Sequence, residues 1–220
     1  MDVKINDFPG IGNRLKKYRL KAGFTAETLG SAVKEKFPNT GVSRQTIFNI
    51  ENERRRMDMS SLIEIARTLD INPLSLLCDL GKPFEIVADD GPLAGLTPVG
   101  VCRLFGVNGY SLGAGMKTGT ADAHELRLMS SAFDVIDKAA TIKDGLDGKK
   151  LDPFGLLAWL YDVRTLRNNG AEPPEALGSL YKDVLDYVEH DDSVDGKTRE
   201  MLRLQFERGR NVGRQLRRSN

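Results

Sequence analysis

The chain is poor in cysteine and histidine, with two residues of each among 220. Two cysteines, Cys78 and Cys102, are too few for the disulfide frameworks that stabilise small secreted domains. The chain has two histidines, His124 and His190, and these with two distant cysteines do not form the spacing of a Cys/His zinc cluster. The composition therefore excludes disulfide scaffolds and zinc fingers.

Long apolar runs are missing as well. Residues Met1 to Asp7 lack the apolar stretch of a signal peptide. The longest apolar-looking stretch, Phe154 to Tyr161, is about half as long as a bilayer-spanning helix. Because 40% of the residues are hydrophobic and 29% are charged, the composition is that of an ordinary globular protein. We expect a cytoplasmic protein of one or two domains that does not span a membrane.

Charge is balanced overall, with a net of +1, but it is unevenly distributed. Residues 1–80 contain 13 basic and 10 acidic side chains, residues 151–196 contain 3 and 10, and residues 197–220 contain 8 and 2. This asymmetry indicates anionic partners, or an acidic region that docks on a basic one. The basic tail from Lys197 to Arg218 fits a DNA contact or a pairing with residues 151–196, and we slightly favour the pairing.

Apolar spacing predicts five short helices within residues 8–80. The first begins near Ile11 and stops at Gly23, and the third buries Ile47 and Ile50. The residues with the chemistry to start the second to fifth helices are Thr25, Ser43, Asp58 and the pair Asn72-Pro73. We therefore expect a compact all-α domain in this region.

The remaining chain divides into two parts. Residues 81–120 contain many of the 22 glycines and two β-prone pieces, Glu85–Ala88 and Val99–Val107, and are interpreted as a linker with short strands or a small hairpin. Helical periodicity returns over residues 121–218, where it predicts a bundle whose last helix runs from about Ser193 to Leu216. The predicted fold class is mainly α, with a glycine-rich linker between two helical domains.

The segment Gly41–Glu51 carries the most specific motif. It resembles, together with Thr25–Leu29 and Leu62–Leu77, the lambda-repressor-like (Xre/Cro type) helix-turn-helix domain, whose pattern after the turn is V-S-x-x-T-I-x-x-I/L-E. The matching residues are Val42, Ser43, Thr46, Ile47, Ile50 and Glu51. The resemblance covers residues 8–80, and it implies a sequence-specific, DNA-binding transcriptional regulator, a repressor of bacterial or phage type.

The resemblance also implies which residues read bases and which support the fold. The base-reading set is Arg44, Gln45, Thr46 and Asn49. Arginine suits guanine, glutamine and asparagine suit adenine, and the threonine would touch a thymine methyl group. Arg19 and Glu51 match positions that often form a structural ion pair between the first and third helices.

Phosphate contacts are expected from helix N-termini and from basic side chains. The candidates are Thr25, Ser43, Lys36, Arg54, Arg55 and Arg56. Three adjacent arginines cannot all point the same way, so we expect two of the three to reach the DNA.

The sequence departs from the family pattern in several places. Gly41 lies 16 residues after Thr25, farther than is usual, so an insertion near Lys34–Thr40 lengthens the second helix or its turn. Lys34 and Lys36 of this insertion either contact the DNA backbone or bulge into solvent. Ala26 replaces a frequent phosphate-binding glutamine, and Glu53 replaces a common glycine. Phe48 either contacts a thymine methyl group or packs against the insertion, and we favour the packing.

Residues 121–218 match no family motif, so their role is inferred from what a DNA-reading domain requires of the rest of the chain. Palindromic operators are read by dimers, because one such domain makes too few base contacts to be specific. We therefore expect residues 121–218 to form a homodimer or to bind a partner. An alternative is an antitoxin-like interaction protein, in which the acidic helices of residues 151–196 bind a basic protein.

A less favoured alternative is a repressor that cuts an Ala-Gly bond in its own linker with a Ser-Lys pair. Ala94-Gly95 lies in such a linker, with Ser111 and Lys149 or Lys150 downstream. That chemistry needs a β-rich domain to bury the lysine and lower its pKa, whereas the pattern after residue 124 is helical. We predict no enzymatic activity. We also predict no cofactor or metal, because no phosphate-binding loop or clustered carboxylate pair is present.

Overall fold

The computed structural model describes residues 8–109, 111–112, 119–148, 152–190, 196, 199–200 and 204. Over these residues the chain is helical, and its β-structure is limited to one isolated bridge. The chain divides into two compact units, Met1–Ser130 and Ser131–Asn220. Among the described helices, none combines the length and apolar character needed to cross a bilayer.

The helices follow the predicted order. The described helices of the first unit are α1 (Ile11–Lys21), α2 (Ala26–Lys36), α3 (Arg44–Glu51), α4 (Met59–Leu69), α5 (Leu74–Leu77) and α6 (Pro98–Leu104). Helix α7 (Ala123–Asp147) begins in the first unit and continues in the second, which also contains α8 (Pro153–Asn168) and α9 (Glu175–His190). The predicted mainly α fold is confirmed.

Side-chain caps start the N-terminal helices where the sequence predicts them. The hydroxyl groups of Thr25 and Ser43 and the carboxylate of Asp58 each accept a hydrogen bond from the backbone N–H three residues later. Such a bond satisfies one of the backbone donors left free in the first helical turn. At α2 a reciprocal hydrogen bond completes a capping box, since Thr28 Oγ1 accepts a hydrogen bond from Thr25 N at 2.8 Å. These local bonds set where each helix begins.

Two glycines allow α3 to lie close against α1 and α2. A Cβ atom on Gly12 of α1 would lie 2.5 Å from the carbonyl oxygen of Ile50. A Cβ atom on Gly30 of α2 would lie 2.8 Å from the backbone nitrogen of Arg44. Ile47 and Ile50 are buried at this junction, as predicted. The backbone of α3 therefore touches its neighbours at both of its ends.

A buried ion pair also joins α1 to α3. Arg19 donates two hydrogen bonds to the Glu51 carboxylate, from Nε to Oε1 at 2.6 Å and from Nη2 to Oε2 at 2.8 Å. These hydrogen bonds raise the pKa of Arg19. Nη1 of the same guanidinium donates to the carbonyl oxygen of Phe24, at the start of the turn into α2. The pair that the resemblance implied thus joins α1 to α3, and the same guanidinium also holds the turn after α1.

The insertion before α3 packs on α4. Lys36 Nζ donates a hydrogen bond to the carbonyl oxygen of Arg67 at 2.5 Å, and the Arg67 guanidinium lies 5.4 Å from the centre of the Phe37 ring. The Thr40 hydroxyl donates to the carboxylate of Glu64. The extra residues therefore lengthen α2 and its turn without separating α3 from the domain.

The second β-prone piece, Val99–Val107, is helical over most of its length. Thr97 Oγ1 accepts a hydrogen bond from Gly100 N at 3.2 Å, and Pro98 occupies the first helical position of α6. A capping threonine followed by proline favours a helix start over the β-propensity of the valines. The first piece, Glu85–Ala88, contributes one strand-like contact, the parallel bridge between Ala88 and Ala94.

The first unit extends beyond the five predicted helices. Leu93, Val101 and Cys102 are fully buried, so the described part of residues 81–109 supplies core side chains. Asp122, just before α7, accepts hydrogen bonds from Asn72 N and Ser75 Oγ, both at 2.7 Å. The first compact unit thus continues past residues 8–80 as far as Ser130.

Glu125 of α7 adds an electrostatic contact to α1. Its Oε1 lies 3.3 Å from Lys17 Nζ and 3.5 Å from Lys21 Nζ. Burial raises the pKa of Glu125, but its backbone hydrogen bond and the two lysines outweigh this effect, and the net pKa lies below the usual value. Glu125 is therefore held as a carboxylate against α1.

The second unit has its own core. Trp159 of α8 is fully buried, and its Nε1 donates a hydrogen bond to the carbonyl oxygen of Val135 in α7 at 3.0 Å. The Tyr181 ring of α9 lies 6.5 Å from the Trp159 ring. The predicted last helix, Ser193 to Leu216, falls outside the described residues except at positions 196, 199, 200 and 204, which are helical.

The close approach at Gly12 predicts that Gly12→Ala destabilises the protein. Helix propensity alone would favour alanine by about 1 kcal/mol. The added methyl group would collide with backbone atoms, so we expect a net loss of about 1–3 kcal/mol, typical of overpacking. Thermal unfolding followed by circular dichroism measures the change.

The matched control is Gly178→Ala, because Gly178 is also helical and no heavy atom lies within 4 Å of the added carbon. We expect this control to be neutral or stabilising. A Gly12→Ala protein as stable as the control would contradict the close approach of α1 and α3.

Candidate nucleic-acid interface

Helix α3 presents a polar face to solvent on the side opposite its buried isoleucines. We call this surface the recognition face, and its residues are Arg44, Gln45, Phe48 and Asn49. The first three are exposed and Asn49 is half-buried. An α-helix such as α3 is about 10–12 Å across with its side chains and fits a major groove about 12 Å wide. Three of the four predicted base-reading residues therefore share one accessible surface.

Gln45 and Asn49 act as one hydrogen-bonded unit. Gln45 Nε2 donates to Asn49 Oδ1 at 3.0 Å, across one turn of the helix. The bond uses one amide hydrogen of Gln45 and one lone pair of Asn49. Since each amide has both donor and acceptor groups, the unit keeps the combination that complements adenine N7 and N6.

Arg44 stands at the first position of α3 and is 73% exposed. Its Nη1 lies 3.7 Å from the carboxylate of Glu27, which belongs to α2 and is 71% exposed. Exposed ion pairs of this kind contribute little to stability, because water and salt screen them. The Arg44 guanidinium can therefore exchange Glu27 for another acceptor at small cost.

Thr46 does not belong to the recognition face, which corrects the sequence-based prediction. Its side chain is 4% exposed, and its Oγ1 donates to the carbonyl oxygen of Gly41 at 3.1 Å. Arg55 Nη1 also lies within 3.5 Å of this hydroxyl. Thr46 thus closes the turn that precedes α3, and it cannot touch a thymine methyl group from there.

Phe48 also differs from expectation. The favoured expectation was packing against the insertion, whereas the Phe48 side chain is 44% exposed. The guanidinium of Arg54 lies 5.7 Å from the centre of the Phe48 ring. An apolar ring therefore stands in the middle of an otherwise polar surface.

The three arginines after α3 have separate environments. Arg54 lies over Phe48, Arg55 reaches back to Thr46, and Arg56 lines a cavity that also contains Phe8 and Ile11. All three are exposed. The backbone N–H groups of the first two donate to the carbonyl oxygen of Asn49, at 2.8 and 3.2 Å. The chain thus turns sharply after α3 and keeps these side chains beside it.

The other residues predicted to contact phosphate are Thr25, Ser43 and Lys36. Thr25 and Ser43 cap α2 and α3, so the free N–H groups of those helices start beside them. Lys36 instead binds the carbonyl oxygen of Arg67 near the end of α4. Its ammonium group lies at a helix C-terminus, where a positive charge is favourable, and its contact with phosphate stays a prediction.

Glu53 adopts the backbone conformation that glycine usually supplies. Its φ is 57°, in the left-handed region that costs an L-residue about 1–2 kcal/mol. This explains why the family often has glycine after the recognition helix. The sharp turn forms here despite the glutamate.

Sequence reasoning missed the two glycines that seat α3. Gly30 lies inside a helical pattern, where glycine costs about 1 kcal/mol relative to alanine, and this cost was the available signal of a close contact. The second half of the α2 cap, Thr28, was also missed. A threonine three residues after an N-cap threonine gives a variant of the capping box.

Two parts of the self-cleavage alternative, Ala94 and Ser111, lie within the described residues. Ala94 of the Ala94-Gly95 bond takes part in the bridge to Ala88, and the Ser111 hydroxyl donates to the carbonyl oxygen of Asn108 at 2.9 Å. Lys149 and Lys150 lie outside the described residues. Within the described ranges, no group of three or more His, Cys, Asp or Glu residues could hold a metal ion.

Comparison with known proteins agrees with this geometry. A family model described as helix-turn-helix matches residues 15–76, which run from within α1 to within α5. Neither a curated protein nor a solved structure matches the chain. The N-terminal part of this protein is therefore a helix-turn-helix domain of the Xre/lambda-repressor-like type, which suggests a DNA-binding transcriptional regulator.

Proposed function

We propose that the protein is a sequence-specific transcriptional repressor of bacterial or phage type that reads a palindromic operator as a homodimer in the cytoplasm. The observation that carries this proposal is the recognition face, where Arg44, Gln45 and Asn49 project from a short helix whose back is buried. The repressor would occupy its operator and block polymerase. It would act by binding, without a catalytic step.

Base readout is assigned to the three polar residues of the recognition face. Arg44 suits the guanine O6 and N7 acceptors, and the Gln45–Asn49 unit suits adenine. One domain with so few base contacts lacks the specificity to find one site in a genome. This is the reason for proposing a dimer, and the second unit is the candidate for holding it together.

Phosphate contacts are assigned to the surroundings of the recognition face. The N-termini of α2 and α3 begin at Thr25 and Ser43, and helix N-termini favour anions. The exposed residues Arg54, Arg55 and Arg56 follow α3 directly. Such contacts hold a protein in register on the duplex but carry no sequence information.

Selection of genomic fragments by the full-length protein tests the proposal. We expect enrichment of a palindromic site whose half-sites lie about 34–36 Å apart, one turn of the double helix. The complex should contain two chains per site, measured by light scattering. Fragments without a shared sequence would contradict specific recognition, and a single asymmetric half-site bound by one chain would contradict the dimer.

Arg44→Ala should weaken binding to the selected site by about 1–3 kcal/mol, because a bidentate contact to guanine is lost. Binding to random duplex DNA should change much less. Fluorescence anisotropy on both duplexes measures the difference. The control is Arg127→Ala, which removes an exposed arginine from α7. An equal loss on both duplexes would remove Arg44 from the base-reading set.

Arg55→Ala should weaken binding to all sequences similarly, because the proposed contact is to phosphate. The slope of log K against log salt should become shallower by about 0.9, the value for one phosphate on duplex DNA. Titrations at several salt concentrations give the slope. If it matches that of the unmodified protein, Arg55 makes no phosphate contact.

A further inference from the structure

Phe48 is the residue of the recognition face that base hydrogen bonding does not explain. It lies in the middle of α3, three residues after Gln45 and four after Arg44, so it neighbours both on the helix surface. Its side chain is 44% exposed, although α3 has a buried face available at Ile47 and Ile50. Its place among the polar side chains of the recognition face, rather than its exposure, is what makes it a candidate for DNA contact.

Arg54 lies beside this ring. The Arg54 guanidinium lies 5.7 Å from the ring centre, within the range of a cation–π interaction. The backbone of Arg54 is itself held, since its N–H donates to the carbonyl oxygen of Asn49 at 2.8 Å. The ring therefore has a positive charge beside it on the recognition face.

The major groove offers one apolar group to such a ring. Base edges there present hydrogen-bond donors and acceptors, except for the C5-methyl group of thymine. The Gln45–Asn49 unit, on the same face, carries the donor and acceptor combination that suits adenine, the partner of thymine. The neighbours of Phe48 thus favour the base pair that contains the methyl group.

We propose that Phe48 is a specificity-determining residue that packs against the C5-methyl group of a thymine in the DNA major groove. The proposal rests on the proposed function and adds to it a preference for a 5-methylpyrimidine opposite the middle of α3. Thymine is the source to which we commit. 5-Methylcytosine carries the same methyl group, and the experiment distinguishes the two.

The test uses the full-length protein and a duplex selected from a random-sequence DNA pool. The selected duplex is resynthesised with deoxyuridine at each thymine position in turn, which removes one methyl group and nothing else. We expect one position per half-site where the unmodified protein binds the deoxyuridine duplex about fourfold more weakly, the effect of one buried methyl group. For Phe48→Ala the ratio of the two affinities should fall to about one.

Two further variants separate methyl recognition from general effects. Phe48→Leu keeps an apolar side chain and should retain part of the preference for thymine. Ile63→Ala truncates another exposed apolar residue, on α4, and should leave the full fourfold preference unchanged. Circular dichroism verifies that each variant folds, as expected for exposed positions.

The outcomes distinguish this proposal from the proposed function. A duplex that is selected and bound, but shows no thymine preference at any position, overturns the role of Phe48 and leaves DNA reading intact. A thymine preference that survives in Phe48→Ala overturns it as well. Weaker binding of the thymine duplex than of one with 5-methylcytosine at that position overturns thymine as the source. If no sequence is enriched, both proposals fail.

Discussion

The structure of the N-terminal unit depends on how closely α3 can approach α1 and α2. Eight residues cannot sustain a helix alone in water, because nucleation is costly and few hydrogen bonds repay it. The absence of side chains at Gly12 and Gly30 lets the backbones touch, and this contact buries Ile47 and Ile50. The recognition face exists because the other side of the helix is held in this way.

The ion pair between Arg19 and Glu51 restricts how α3 can be placed on α1. Apolar contacts would tolerate some sliding of α3, whereas a bidentate guanidinium–carboxylate pair admits one geometry. Because both side chains are largely buried, removal of one partner would leave an unpaired charge. The pair and the two glycines together orient the recognition face relative to the ends of α2 and α3, where phosphate contacts are proposed.

The helix-turn-helix domain is only part of its compact unit. Asp122 is bonded to Asn72 and Ser75 beside α5, and Glu125 is paired with lysines of α1. Both acidic residues lie at the start of α7, the helix that continues into the second unit. The first compact unit therefore includes the start of α7 as well as the helix-turn-helix domain.

Local chemistry determined much of the architecture from sequence alone. Thr25, Ser43 and Asp58 start helices because each satisfies a backbone donor within its own first turn, and no distant residue is needed. The apolar spacing of α3 identified its buried face for the same reason. The β-prone piece Val99–Val107 is mostly helical because the local cap at Thr97 outweighs the β-propensity of its valines.

Tertiary packing decided what local patterns leave open. Thr46 points to the turn at Gly41, Lys36 binds the end of α4, and Phe48 stays exposed beside Arg54. Each of these outcomes depends on the position of another segment, and a residue's own neighbours in sequence carry no information about that position. The sequence by itself determined where the helices begin and which face of α3 is buried. The three-dimensional packing alone decided which side chains remained available for recognition.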